Sequence, residues 1–477
     1  DLKILIIRGK TARSFQLRSL QMTSRIRVAV RVRPLSSGEK EAGDRESICV
    51  DGRSNSLTIN GATRFTYDWA APPSMSQAEF YTKTVHPLVA FALSGINATV
   101  MAYGQTSSGK TFTMGSEQCR DVPAMRRGII PRFVEDLFLA IGTSKVVVTF
   151  SLLELYNEKA RDLLSASRGG AVAAVAAAAA AEGGEEGGEA ASLVTLEPQA
   201  YLRLRESDDG SVVVAGLSER EIDSPEELLE LLGAGLQNRV TAATEMNAVS
   251  SRSHCIGTIA LKISSTVTGV DGETTDEFRT AKVTFVDLAG SERAKRTGAT
   301  GMRMQEGISI NKSLLTLGQV INALGTATTA GGHIPYRDSK LTRLLQDALG
   351  GNSKTVFIAC VSPAQCNVDE SLNSLRYANR ARNIKNAAVI NMSAAQMQVK
   401  RLRDQLEAVT RELVKHAFGG GKMTSTDDVN ELLAQPRVRS YLGSVLSVGT
   451  ATMPSACASS APPLPPTAAD DSAGSCA

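Results

Sequence analysis

The stretch Gly104-Gln-Thr-Ser-Ser-Gly109-Lys110-Thr111 fits the pattern G-x-x-x-x-G-K-[S/T] of a phosphate-binding loop. It follows the apolar run Thr99–Tyr103, which has the length of a buried strand, and we expect a helix to begin where the loop ends. The glycines of such a loop adopt conformations that a Cβ atom would forbid. In the pattern, the lysine neutralises the β- and γ-phosphates and the threonine hydroxyl ligates Mg²⁺. Without other elements, the same residues are a Gly/Ser turn with an exposed lysine.

A second element follows the apolar strand Val283-Thr-Phe-Val-Asp287 and reads Leu-Ala-Gly290-Ser-Glu292. An acid at the carboxyl end of a strand beside a phosphate loop would hold a magnesium-bound water. Gly290 would let a backbone N–H approach the γ-phosphate. Alone, D-x-x-G indicates a strand-end turn, but together with the phosphate loop it predicts a nucleotide sensor.

A third element, Asn247-Ala-Val-Ser250-Ser251-Arg252-Ser253-His254, immediately precedes an apolar run. Within eight residues it contains three hydroxyls, an amide, a guanidinium and an imidazole. A plain Ser-rich loop is the alternative. The density of polar groups, beside the other two elements, favours a functional site.

The chain around these elements alternates between strand-like and helix-like segments. Arg25–Arg33 alternates as a strand with one covered face does. Further strand-like runs are Thr99–Tyr103, Lys145–Glu154, His254–Ser264, Lys282–Asp287 and Thr355–Val361. Helical periodicity marks Pro131–Ile141, Pro225–Thr241 after the N-cap Ser224, Ile310–Leu324 and Asp338–Leu349. This interleaving predicts an α/β fold with a mainly buried central sheet.

Composition limits the class of protein. The 477 residues are 42% hydrophobic and carry a formal net charge of +3, which allows a large core and excludes a histone-like or strongly acidic protein. The longest apolar run, Ala171–Ala181, is far shorter than the roughly 20 residues that span a bilayer. The 7 cysteines form no C-x-x-C pair, so we expect reduced thiols in the cytosol.

Four segments lie outside this pattern. The basic residues 1–24 predict an unstructured extension, with an organelle transit peptide as the alternative. The Ala/Gly/Glu-rich residues 165–197 predict a surface-loop insertion. Residues 393–417 predict either a short coiled coil or a single amphipathic helix, and residues 418–477 predict disorder. The heptad positions are Val399, Leu402, Leu406, Val409 and Leu413.

The motifs GQTSSGKT, NAVSSRSH and DLAGSE, in this order, resemble the phosphate loop, switch I and switch II of the kinesin motor domain. Arg31-Val-Arg33-Pro34 resembles the nucleotide-base motif of that family, and residues 333–347 resemble its main microtubule-contact segment. Asn311-Lys-Ser-Leu-Leu resembles the helix after switch II, and Tyr377-Ala-Asn-Arg-Ala the last helix. We assign residues 25–388 to a motor domain.

The resemblance implies a phosphate-loop NTPase-like motor head, with a mixed, mainly parallel sheet flanked by helices on both faces. It implies ATP and Mg²⁺ as cofactors. The implied magnesium ligands are Thr111, Ser250 and, through a water, Asp287. The implied nucleotide-binding residues are Arg31, Arg33, Pro34, Gly104, Gln105, Thr106, Ser107, Ser108, Gly109, Lys110, Thr111 and Phe112. Phe112 stands where many relatives have Tyr or His.

The resemblance also implies catalytic roles. Asn247 and Ser251 would position the attacking water, and Gly290 would contact the γ-phosphate. Arg252 and Glu292 would form a salt bridge that closes the site, so that two mobile loops act as a two-state latch.

Movement along acidic tubulin is the implied output. A neck linker at residues 384–392 would dock through Ile384 and extend along the core from Asn386 to Asn391. Because the motor precedes this neck, plus-end-directed movement on cytoplasmic microtubules is implied. The implied microtubule contacts are Arg293, Lys312, His333, Arg337, Lys340 and Arg343.

The stretch Asn379–Asn386 and the helix after Asn391 most resemble the chromokinesin type, the fourth kinesin subfamily. An ATP-hydrolysing microtubule motor is the leading hypothesis. One alternative is a non-motile microtubule-binding protein, but such a degraded scaffold should have lost Lys110, Arg252 or Glu292. Another is an ATPase that regulates filament ends without walking. A homodimer through the neck helix and a fragment of a longer chain are further expectations, no nucleic-acid contact is indicated, and the cargo is not read from the sequence.

Overall fold

The computed structural model describes residues 22–116, 123–165, 201–207, 210–245, 250–268, 274–292, 302–326 and 333–392. The chain divides into two units between Gln396 and Met397, and all described residues belong to the first. The predicted neck helix and tail, most of the predicted insertion, and residues 1–21 of the predicted extension lie outside the described residues.

The buried apolar runs of the sequence form a central sheet. Its strands are β2 (Arg27–Val32), β6 (Trp69–Ala71), β7 (Ala98–Tyr103), β8 (Val146–Tyr156), β12 (Arg220–Ile222), β13 (His254–Thr268), β14 (Thr274–Asp287) and β15 (Lys354–Val361). They lie in the order β12-β8-β13-β14-β7-β15-β2-β6. The pairs from β14 to β6 are parallel and those from β12 to β14 are antiparallel. The predicted mixed, mainly parallel sheet is therefore confirmed.

Shorter strands lie at the margins of this sheet. They are β1 (Met22–Arg25), β3 (Ile48–Asp51), β4 (Ser56–Ile59), β5 (Thr63–Thr66), β9 (Lys159–Asp162), β10 (Arg203–Glu206), β11 (Val212–Ala215), β16 (Lys385–Ala388) and β17 (Asn391–Met392). Strands β3, β4 and β5 form a separate antiparallel sheet, and β10 and β11 form a hairpin.

Helices cover both faces of the central sheet. They are α1 (Ser37–Glu41), α2 (Gln77–Thr84), α3 (Pro87–Leu93), α4 (Lys110–Met114), α5 (Ile129–Ile141), α6 (Pro225–Glu245), α7 (Met302–Thr326), α8 (Lys340–Leu344) and α9 (Val368–Ala381). Successive residues of β15 enter different cores: Ile358 packs with α2, α3, α5 and α6, whereas Phe357 packs with α7, α8 and α9. This alternation is what a strand covered on both faces requires.

Several sequence-based boundaries differ from the structure, and three of them need correction. The strand predicted as Arg25–Arg33 is split at Ile26, and it is covered on both faces, since Ala29 and Arg31 are buried as well as Val28 and Val30. The described fold begins at Met22 rather than at residue 25, because β1 pairs with β16. Residues 22–24 therefore belong to the fold and not to the predicted extension, because the distant strand β16 supplies their hydrogen-bond partners.

The third correction concerns the helix predicted at Asp338–Leu349, which spans only Lys340–Leu344. The apolar residues that follow, Leu345, Ala348 and Leu349, are buried but lie in turns and a bend. The carbonyl of Ala348 accepts hydrogen bonds from Thr355 Oγ1 at 2.8 Å and from Asn386 Nδ2 at 2.9 Å. Periodicity located the buried residues correctly but could not show that distant side chains replace helical bonds here.

Among the helices of the described residues, none is long and apolar enough to cross a membrane.

Replacement of Phe133 tests the core on the α5 face. Its fully buried ring meets Phe285 edge-on, with centroids 5.2 Å apart. Phe133→Ala should lower the free energy of unfolding by about 3–5 kcal/mol, measured from urea transitions. Leu139→Ala, on the same helix but 82% exposed, is the matched control and should change it by less than about 0.5 kcal/mol. Equal effects of the two variants would contradict this packing.

Candidate nucleotide site and its connections

The phosphate-binding loop lies between β7 and α4, and the helix begins at Lys110, as predicted. Gly104, Ser107 and Gly109 all have positive φ, at 151°, 61° and 97°. A Cβ atom on Gly104 would lie 2.1 Å from the carbonyl oxygen of Cys360. The loop therefore needs glycine at its first position, where the neighbouring strand leaves no room for a side chain.

The ammonium group of Lys110 is buried at the base of this loop. Its Nζ donates to the carbonyl oxygens of Gly104 and Gln105, both at 2.9 Å. Burial lowers the pKa of Lys110, while the carboxylates of Asp287 and Glu292 act in the opposite direction. The loop thus holds a desolvated cation, which suits the oxygen atoms of a polyphosphate.

The carboxyl end of β14 provides a candidate cation site. The Thr111 hydroxyl donates to Asp287 Oδ2 at 2.9 Å, and no described residue gives buried Asp287 Oδ1 a hydrogen-bond partner. Gln105 Oε1 and Ser108 Oγ, in the loop, are likewise buried without partners in the described part. Hydroxyl and carboxylate oxygens suit Mg²⁺, which keeps several other ligands. The described residues contain no group of three His, Cys, Asp or Glu that could hold a metal alone.

The four residues after Asp287 each donate their backbone N–H to a different element. The bonds are Leu288 N to Ala102 O at 3.2 Å, Ala289 N to His254 Nδ1 at 3.0 Å, Gly290 N to Ser251 O at 2.7 Å, and Ser291 N to Gly104 O at 3.1 Å. The partners belong to β7, β13, a short 3₁₀ turn (Ser250–Arg252) and the phosphate loop. We call residues 288–291 the junction segment. All three motifs predicted from the sequence meet there.

Glu292 continues this segment onto the phosphate loop. Its Oε2 accepts from Thr106 N at 2.8 Å, and its Oε1 accepts from the Thr106 hydroxyl. A Cβ on Gly290 would lie 2.3 Å from Thr106 Oγ1 and from Glu292 Oε2, so a side chain at this position would displace the bonds between Thr106 and Glu292. The Arg252–Glu292 salt bridge stays a prediction.

The remaining catalytic residues are only partly described. Ser251 and Arg252 lie in the 3₁₀ turn, and the backbone of Ser250 begins it. Asn247 lies outside the described residues, and the side chain of Ser250 is not described. Their roles stay predictions.

The two arginines predicted to bind the base lie at different depths: Arg31 is in the interior, and Arg33 is on the outside of the loop. Arg31 is buried, donates to Gln77 Oε1 at 2.5 Å and to Thr113 Oγ1 at 3.2 Å, and lies 5.4 Å from the ring centroid of Phe112. Its guanidinium therefore supports the ring of Phe112, which is 39% exposed. Contact of Arg31 with adenine stays a prediction.

Arg33 instead holds the outside of the loop. It donates to Ser107 O at 2.7 Å and forms a two-point ion pair with Glu39, at 2.6 Å for each contact. Arg33 lowers the pKa of Glu39 to about 2. Pro34, next in the chain, has its carbonyl bonded by Arg33. Gln77 and Glu39 were not predicted, although Ser36-x-x-Glu39 is a capping box that the sequence shows.

The predicted track residues on α8 and the loop before it are tied to two acids. Glu206 of β10 accepts from Arg337 at 2.9 and 3.1 Å and from Arg343 at 3.4 Å. Glu158 accepts from Ser339 Oγ and from the backbone N–H of Lys340, both at 2.6 Å. Lys312 and His333 are exposed, and Arg293 lies outside the described residues. The acids were not predicted because the hairpin that carries Glu206 is remote in sequence.

The residues predicted as the neck linker lie along the core. Ile384 is fully buried, and Asn386 Nδ2 lies 2.8–3.0 Å from Ala348 O, Ser353 O and Thr355 Oγ1. Asn391 is bonded by its amide nitrogen to Gly95 O, Asn97 Oδ1 and Thr280 O, at 2.9–3.1 Å. Strand β17 pairs with Arg279 and Thr280 of β14. The segment is thus held by side-chain amides at both of its ends.

A mainly parallel sheet with this loop at the end of β7 defines a phosphate-loop nucleotide-binding protein. A model of the kinesin motor domain matches residues 31–384, and the chain belongs to that family. The kinesin-like protein KIN-4C of Arabidopsis thaliana is 44% identical over 412 residues, which are 84% of this chain and 30% of that protein. The kinesin-like protein KIF21B of Mus musculus is 41% identical over 421 residues, which are 83% of this chain and 24% of that protein.

The chain thus spans less than a third of the length of these two relatives. A solved structure of a fast kinesin superposes with a TM-score of 0.64 at 36% identity, covering 78% of this chain and 94% of that one. The predicted family, its motor fold and the resemblance to the fourth subfamily are confirmed.

Replacement of Lys110 tests the nucleotide site. Lys110→Ala removes the buried cation that faces the phosphates, so affinity for a fluorescent ADP analogue should fall at least about 100-fold. Lys262→Ala, which removes an exposed lysine from β13, is the matched control and should bind normally. Normal nucleotide affinity of a folded Lys110→Ala variant would refute the phosphate-loop assignment.

Proposed function

We propose that this chain hydrolyses ATP with Mg²⁺ as a microtubule-stimulated motor and moves towards microtubule plus ends at the cytoplasmic cytoskeleton. The observation that carries the proposal is the junction segment, where the phosphate loop, the 3₁₀ turn and β13 are bonded to four successive N–H groups. A γ-phosphate that binds beside Gly290 competes for this backbone, and the segment therefore senses the nucleotide.

Hydrolysis would use groups already placed around the loop. Lys110 would hold the phosphates, Thr111 and Ser250 would ligate Mg²⁺ with Asp287 acting through a water, and bound Mg²⁺ would supply charge neutralisation. Asn247 and Ser251 orient the attacking water. No covalent intermediate is needed, since phosphoryl transfer depends mainly on positioning and charge.

Glu292 and Arg252 are assigned the closing step. Glu292 is bonded to Thr106, so its carboxylate is already fastened to the phosphate loop. Pairing with Arg252 would bring the 3₁₀ turn onto the same loop and exclude bulk water from the phosphates. This is the two-state element that the proposal requires.

Binding to the acidic microtubule surface would use the cations of α7, α8 and the loop between them. Arg337 is 75% exposed despite its ion pair with Glu206, so it remains accessible to a second carboxylate. Attraction between such a surface and a polyanion weakens with salt. The neck-linker segment, held at Ile384, Asn386 and Asn391, supports movement rather than binding alone, because its release and docking would displace whatever follows residue 392.

The steady-state ATPase rate against microtubule concentration, at two salt concentrations, tests the whole proposal. The rate should rise to saturation, and the half-saturating concentration should increase with salt. Surface-gliding assays with polarity-marked microtubules then test plus-end movement. An ATPase rate that does not change with microtubule concentration would refute the motor proposal and support only a nucleotide site. Stimulated hydrolysis without gliding would favour an ATPase that acts at filament ends.

Glu292→Ala tests the closing step. Because the variant keeps Lys110 and the phosphate loop, it should still bind ATP, but hydrolysis should slow at least about 100-fold. Rapid chemical quench of a single ATP turnover measures the cleavage step directly. Glu277→Ala, an acid of β14 that pairs with Arg279 away from the site, is the control. An unchanged turnover rate of Glu292→Ala would refute the latch.

Glu206→Gln tests the track surface. The substitution removes a carboxylate that competes with tubulin for Arg337 and Arg343, so half-saturation should occur at about 2- to 5-fold lower microtubule concentration, less so at high salt. Glu221→Gln, the same charge change at an exposed position of β12, should have a smaller effect. Weaker microtubule binding by Glu206→Gln would instead show that Glu206 orients the arginines.

A further inference from the structure

His254 connects the junction segment to helix α7. It is the first residue of β13 and is 2% exposed. Its Nδ1 accepts the N–H of Ala289 at 3.0 Å, and its Nε2 lies 3.0 Å from Ser313 Oγ on α7. One side chain therefore contacts both the segment beside the phosphate loop and a long helix on the second face of the sheet.

These contacts determine the protonation of the ring. A backbone N–H can only donate, so Nδ1 must present its lone pair and the proton of the neutral imidazole must be on Nε2. Nε2–H then donates to the Ser313 hydroxyl. Burial, with smaller contributions from Arg239 and Lys110, lowers the pKa of His254 to about 3, which keeps the ring neutral at physiological pH. The direction of both bonds is thus settled by the chain itself.

The two hydrogen bonds of His254 connect residues with different predicted functions. Ala289 precedes Gly290, whose own N–H is bonded to Ser251. Ser313 is buried on α7 next to the exposed Lys312, a predicted microtubule contact. A shift of the junction segment or of α7 by about 1 Å would break one of the two bonds of His254.

We propose that His254 is a positioning residue that couples the nucleotide state at the junction segment to the orientation of the microtubule-binding helix through Ser313. The inference rests on the proposed motor function, because it assigns a regulatory residue to that same site. The imidazole is suited to this role because it is rigid and presents an acceptor and a donor on opposite sides. Coupling requires that both bonds exist in one nucleotide state and that one is lost in the other.

The experiment measures how strongly nucleotide changes microtubule affinity. Co-sedimentation gives the Kd for microtubules with ADP and with a non-hydrolysable ATP analogue, and the ratio of the two is the coupling factor. His254→Asn keeps an acceptor for Ala289 but is too short to reach Ser313, and Ser313→Ala removes the other partner. Each variant should reduce the coupling factor by about 3- to 10-fold, the effect of one buried hydrogen bond.

The double variant His254→Asn/Ser313→Ala separates the bond from general damage. Because both substitutions break the same contact, the double variant should lose no more coupling than either single one. Thr316→Val, which removes another buried hydroxyl from α7, is the matched control and should keep the coupling factor. Ser313→Ala decides the question alone if His254→Asn does not fold.

An unchanged coupling factor in Ser313→Ala, or multiplicative losses in the double variant, would overturn the inference while the motor proposal stands. A wild-type chain that does not bind microtubules at all would overturn the proposed function and the inference with it. The two failures are therefore distinguishable in the same assay.

Discussion

The commitment of four successive backbone N–H groups, Leu288 to Ser291, is the constraint on which the rest of the site depends. Each bond ends on a different element, so the segment cannot move without exchanging several partners together. Such an arrangement favours a small number of discrete states over gradual displacement. Glycine at position 290 adds to this, because a side chain there would displace the Glu292 carboxylate and the Thr106 hydroxyl from each other. The proposed sensor is therefore built from backbone geometry, and side chains supply its connections.

Strand β14 brings these connections into one place. It pairs in parallel with β7 and antiparallel with β13, and Asp287 lies opposite Ala102 on one side and Cys255 on the other. The register places the acid beside the phosphate loop and next to His254. Towards its other end, Arg279 and Thr280 pair with β17. One strand therefore carries at its carboxyl end the carboxylate proposed to act on Mg²⁺ and pairs farther back with β17, in the segment proposed as the neck linker. The two proposed sites are thus connected without an intervening loop.

Sequence reasoning succeeded where the determining interactions are local. The phosphate loop, the strand before it and the helix start at Lys110 depend on adjacent residues, and all three are as predicted. It failed where partners are distant in sequence. The role of Arg31 depends on Gln77 and Thr113, and the early end of α8 accompanies tertiary bonds to Ala348. Neither Glu206 nor Ser313 belongs to a motif that indicates its partner, so only the fold reveals the ion pair or the histidine bridge.

The burial of Lys110 explains why the site is ready for phosphate before any ligand arrives. A lysine in water binds a phosphate only after both lose hydration, which cancels much of the attraction. Here folding has already removed water from the ammonium group, since Lys110 is only 7% exposed, and two carbonyl oxygens hold it in position. The carboxylates of Asp287 and Glu292 favour its charged form. The desolvation therefore belongs to the free energy of folding, and binding of a polyphosphate gains the full interaction with a cation in a low-dielectric site.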